Sequence, residues 1–209
     1  MAVKVAIGTE IGRGWELFKA NMTLLILVGL LASLLAVLTC GILAGPMMAG
    51  QFLIIQRLLK KDPTVPAVGD LFKGFEHFLN TFVLIIVLAV ISGVCAVIPG
   101  VNFVTGFISG ALVSIGVMFV AFGKLSFSDA LKKLMQEITT GPFWMLILTF
   151  IVANLIGGLG ALLCGIGILF TLPIATCIYV CAYHSAYEGT APEQPQPLDP
   201  PPPPVEPMQ

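Results

Sequence analysis

The sequence predicts an all-α, polytopic membrane helix bundle: six transmembrane helices in three hairpins, each hairpin preceded by a short amphipathic interfacial helix. Three observations predict it. Hydrophobic residues make up 57% of the chain and charged residues 10%, with a mean hydropathy of +1.02, whereas a soluble domain carries about 25% charge. The charges leave three uncharged intervals: 37 residues between Lys19 and Arg57, 47 between Glu76 and Lys124, and 50 between Glu137 and Glu188. One span takes about 20 apolar residues, so each interval has room for two. Near the middle of each interval stands a breaker cluster: Cys40-Gly41 with Pro46, Pro99-Gly100-Val101-Asn102, and the glycine-rich run Gly157 to Gly167.

The elements follow in order. The first repeat covers about residues 8–60. Ile11, Trp15, Phe18 and Met22 recur at helical steps and make one apolar stripe beside Arg13 and Lys19, ahead of spans at 22–41 and 43–59. The second repeat covers about 67–123. Val68, Phe72, Phe75, Leu79 and Phe82 form its stripe beside Lys73, ahead of spans at 78–98 and 103–122. The third covers about 126–188. Ser126 is an N-cap for a stripe of Phe127, Leu131, Leu134 and Ile138 beside Lys132 and Lys133, ahead of spans at 143–162 and 166–185. The competing reading of each stripe is an extension of the span that follows it. Cys40, Cys95 and Cys164 each fall at or beside a hairpin tip. That supports a degenerate threefold repeat whose copies are related by an axis along the membrane normal.

All ten Lys and Arg fall on one side of this arrangement and the tips carry none, which predicts cytoplasmic termini. The first 19 residues lack the apolar core of a cleavable signal. Small residues recur every fourth position in the spans, as in Gly29 and Ser33, Gly45 and Ala49, and Gly106 and Gly110, so the helices should pack closely. Gly106-Phe107-Ile108-Ser109-Gly110 could instead serve a homo-oligomer.

Residues that could carry chemistry are few. The spans contain no Asp, Glu, Lys or Arg, which argues against an ion-coupled pump, and the P-loop, GxSxG, HExxH and CxxC patterns are absent. No catalytic, cofactor-binding or metal-binding residue is assigned, and no cofactor is expected. Asn154 and Gln51 read as interhelical hydrogen-bonding groups, or as the lining of a polar path. Cys177, Cys181 and His184 share one helical face but lack a clear fourth ligand, so packing is the expected role. Tyr179, Tyr183 and Tyr187, with Trp15 and Trp144, read as an aromatic belt. A net charge of -1 leaves no basic surface for nucleic acid.

The segment 189–209 holds nine of the fifteen prolines and no Lys or Arg, and reads as a disordered, proline-rich cytoplasmic tail whose PxxP spacing could dock a protein partner. Residues 1–188 form the transmembrane domain.

Four segments carry a resemblance. Gly14-Trp15-Glu16-Leu17-Phe18-Lys19-Ala20-Asn21, Pro46-Met47-Met48-Ala49-Gly50, Asp70-Leu71-Phe72-Lys73-Gly74-Phe75 and Ser128-Asp129-Ala130-Leu131 together resemble bacterial multi-pass membrane domains of unknown function. A similar domain is appended to some glycerophosphodiester phosphodiesterases. The catalytic domain of those enzymes has no counterpart here. The resemblance implies a bacterial plasma membrane and no site residues. The expected function is non-enzymatic: organising membrane lipids or partner proteins. The alternative is a channel or facilitator for an uncharged or lipid-like solute, passing Asn154 and Gln51.

Overall fold

A computed structural model describes residues 7–95, 102–139, 141–162 and 168–187. They form eight α-helices: α1 (Ile7–Ala20), α2 (Met22–Leu38), α3 (Ala44–Leu59), α4 (Phe78–Cys95), α5 (Asn102–Gly123), α6 (Phe127–Glu137), α7 (Gly141–Leu162) and α8 (Ile168–Tyr187). A 3₁₀ helix, Val68–His77, precedes α4. No strand occurs among the described residues. Helices thus stand at each of the six intervals read as spans. The tips around 99–102 and 163–167, the side chains of Cys95 and Cys164, and the tail lie wholly or largely outside the described residues.

The first tip follows from three residues. The Thr39 hydroxyl donates to the Leu35 carbonyl and accepts from the Leu43 amide, while the Gly41 amide reaches back to Ala36 at 2.7 Å. Such a 6→1 bond needs left-handed backbone, which Cys40 and Gly41 adopt at φ 50° and 87°. At the far end of α3 the Asp62 amide bonds to Arg57 in the same way, with Lys61 at φ 50°.

Helices α2 and α3, α4 and α5, and α7 and α8 pack as chain neighbours. In each pair the second helix is the more buried one. Phe52, Ile54 and Ile55 of α3, Val117 to Ala121 of α5, and Ala175, Cys177 and Ile178 of α8 are buried. Leu34 and Val37 of α2, Val90 and Ile91 of α4, and Leu148 and Leu155 of α7 face outward. Phe119 and Phe122 of α5 meet Tyr183 of α8 edge-on at 5.8 and 5.3 Å, so the last turns of these two helices share one end of the bundle. Small residues set the approaches. A Cβ on Gly74 would stand 1.9 Å from the Pro46 carbonyl oxygen, and one on Gly50 would stand 2.0 Å from that of Leu71. The 3₁₀ helix therefore lies backbone to backbone on α3.

Two helices among the described residues are long and apolar enough to cross a membrane: Val68–Gly93, which joins the 3₁₀ helix to α4, and Thr105–Gly123. Ile7–Ala20 and Met22–Leu38 pass only as a pair, bent by 94°. The bend falls at Asn21, whose amide turns back to the Leu17 carbonyl at 3.1 Å. Helices α2 and α3 have 17 and 16 residues, about 25 Å at 1.5 Å per residue, a little short of a hydrocarbon core of about 30 Å.

Candidate functional site

The three amphipathic stretches differ in what they bury. On α1 the buried positions are Glu10, Gly14 and Phe18, while Trp15 and Met22 of the expected stripe are each 45% exposed. The stripe is offset because α1 packs on α8. A Cβ on Gly14 would lie 2.9 Å from the Ile178 backbone, so only glycine permits the crossing. On the 3₁₀ helix Leu71 and Gly74 face inward and Phe72 and Phe75 face outward. With Phe78 and Phe82 they form a ladder of near-parallel rings at 6.1, 6.1 and 5.6 Å. On α6 the predicted N-cap is present, Ser126 accepting from the Asp129 amide at 3.3 Å. Its stripe turns inward through Ala130 and Leu134, and Lys133 lies 4.5 Å over the Phe119 ring.

A polar latch holds α1 to α8, which composition alone did not reveal. Ser185 donates to Glu10 Oε1 at 2.9 Å, and Arg13 Nη1 reaches both Glu10 Oε1 at 3.4 Å and Ser185 Oγ at 3.2 Å. Glu10 is 2% exposed and its Oε2 has no hydrogen-bond partner. Burial pushes the Glu10 carboxyl above the usual carboxylate range; the Ser185 bond and Arg13 oppose this only in part. The signal available in the sequence is the i, i+4, i+8 spacing of Glu10, Gly14 and Phe18, which does not stand out as a packed face because carboxylates are rarely buried.

A second charged cluster is structural. Arg57 of α3 bonds Asp70 at 2.9 Å, Asp62 at 3.2 Å and Thr64 Oγ1 at 2.6 Å, and Lys73 completes it on Asp70 at 2.7 Å. It ties the loop 60–67 and the 3₁₀ helix to the end of α3. Asp62 is held below the usual carboxylate range by the Thr64 amide and by Arg57.

Asn154 and Gln51 have different settings. The Asn154 amide donates to the Phe150 carbonyl at 3.0 Å and to the Tyr179 hydroxyl, joining α7 to α8. Gln51 lines a cavity of about 120 Å³ between α2, α3 and α8, with Ser33, Thr176, Pro173 and apolar side chains. Gly29 admits the Pro173 ring there, with 3.3 Å left for a Cβ. A separate, apolar groove of about 550 Å³ runs between Phe107 and Ile108 of α5 and Trp144 to Leu155 of α7. Within the small-residue motif of α5, Gly110 is taken by the Phe150 ring at 3.1 Å, while Gly106 meets nothing within 4 Å.

The expected aromatic belt is only partly present. Trp15 and Trp144 face outward, but Tyr179 stacks on Phe150 of α7 at 4.6 Å and Tyr183 is buried against Phe119 and Phe122 of α5. Cys177, Cys181 and His184 are buried on α8, and no group of three His, Cys, Asp or Glu among the described residues could hold a metal ion. No protein family, curated protein or solved structure matches the chain.

Proposed function

We propose that the chain is a non-enzymatic, six-span protein of a bacterial plasma membrane, with both termini cytoplasmic, that organises lipid and partner proteins around a basic, aromatic collar. The observation that carries this reading is the ladder Phe72, Phe75, Phe78 and Phe82, whose first two rings are exposed, next to Lys73, together with Trp15 and Lys19 on α1. Rings left outside a bundle need an apolar phase, and lysines beside them need headgroups. With α2 upright in the bilayer, the 94° bend lays α1 along the surface. The one-sided Lys and Arg and the resemblance to bacterial multi-pass domains support the orientation and the membrane named. The proline-rich tail would be the point of contact for a partner.

The test is the depth of Trp15, read by lipid-borne quenchers in a Trp144→Phe background. Quenching near the headgroups is expected. A Trp15 reached only by aqueous quenchers would make α1 a soluble arm and overturn the collar. A second reading, a facilitator for an uncharged or lipid-like solute, is favoured by the Gln51 cavity. It requires solute flux in liposomes that falls in Gln51→Leu.

A further inference from the structure

We infer that the cavity between α2, α3 and α8 is a binding site for the hydroxyl end of an uncharged, single-chain lipid alcohol. The inference rests on the chain being embedded in a membrane and not on the collar, so the two can fail separately.

The chemistry of the lining selects the ligand. No charged side chain among the described residues lines the cavity, so an ion would enter without compensation. Ser33 gives its hydrogen to the Gly29 carbonyl at 2.7 Å and Thr176 gives its own to Leu172 at 2.8 Å. Their oxygens remain as acceptors. The Gln51 amide brings two donors and an acceptor, and makes no hydrogen bond to another described residue. A primary amide in that state, at mid-helix of a membrane bundle, gains from a partner that both donates and accepts. A hydroxyl does both; an ester carbonyl or an ether does not.

Size and access point the same way. A cavity of about 120 Å³ has room for a hydroxyl with the first carbons of a chain, or for several waters. Leu30 and Leu172, both 47% exposed, stand at its edge, so the mouth faces outward between α2 and α8. The rest of a chain would leave through that mouth into hydrocarbon. Pro173 is wedged against Gly29 and removes a backbone donor from α8, which holds the two helices apart at fixed spacing beside the opening.

The experiment uses the full chain in phosphatidylcholine vesicles with an octanol that carries a photoreactive diazirine. Adducts should concentrate on peptides holding Leu25 to Ser33, Gln51 to Ile55 and Leu172 to Thr176. They should saturate, and be competed by plain octanol at least tenfold better than by octane. Gln51→Leu should cut this labelling at least fivefold. Leu30→Trp, at the exposed mouth where folding is not at stake, should do the same by blocking entry. Labelling spread over all outward faces, competition by octane equal to that by octanol, or full labelling in both variants would overturn the site and leave a cavity that holds water only.

Discussion

Gly74 and Cys40 illustrate opposite backbone demands. At Gly74 the absent side chain is what allows contact, since a Cβ would overlap the Pro46 carbonyl and press on the Gly50 amide at 2.6 Å. Neither obstacle is a flexible tip that could swing away. Gly74→Ala should therefore lower stability by about 3 kcal/mol or more, seen as a lower midpoint of thermal unfolding in detergent. Cys40 presents the reverse case: it is exposed, and holds φ 50° in a turn built for glycine. Cys40→Gly removes that strain at some entropic cost in the unfolded chain. A net gain of up to about 1 kcal/mol is expected in the same assay.

The latch between α1 and α8 makes its prediction at the scale of elements. A carboxyl whose folded pKa is raised holds its proton in the native state at pH values where the unfolded chain has released it. Stability is then greatest below the ordinary carboxylate value of 4.5 and falls as pH rises from there through the raised value of the folded state. Glu10→Gln keeps an acceptor for Ser185 and removes the titration. The difference in unfolding midpoint between about pH 5 and about pH 8 should shrink in that variant, and should grow in Arg13→Ala, which strips the compensating charge. An unchanged difference in both would mean that α1 is undocked in the protein measured. The elements were legible in the sequence to within a few residues, because uncharged intervals and glycine clusters fix where helices begin and stop. Their inward faces were not. Trp15 and Phe72 lie on true apolar stripes yet face outward themselves, while Phe18 of the first stripe is buried, and the packed faces run through Gly14 and Gly74, which hydropathy scores as neutral. The segments Pro46 to Gly50 and Asp70 to Phe75, singled out for their resemblance, turn out to be the two sides of one backbone contact.

For the whole molecule, the pairing of neighbouring helices and the shared end of α5 and α8 bear on topology. Reporter fusions at residues 64, 126 and 190 should all read out on the cytoplasmic side, since each follows the second helix of a pair. A fusion at 126 reading the outer face would remove the three-hairpin arrangement. Replacing Phe72 and Phe75 with Ser should weaken the protein in membranes and leave the same fusions unchanged, because these two rings are exposed and set no helix pairing. What the sequence could not reveal at this scale is which helix of each pair is the more buried. That depends on where Phe119, Tyr183 and Tyr187 meet, a contact between residues far apart in the chain.

Glu10 and Ser185 are separated by 175 positions, and this distance governs when the protein can be finished. Chains emerge from the ribosome N-terminus first, and early segments settle before late ones exist. Here α1 must wait for α8. Until α8 is made, the Gly14 face of α1 has no surface to close on and the carboxylate beside it must stay hydrated. A nascent chain halted anywhere before Ile168 would leave α1 undocked, open to proteases and chaperones that the completed protein excludes.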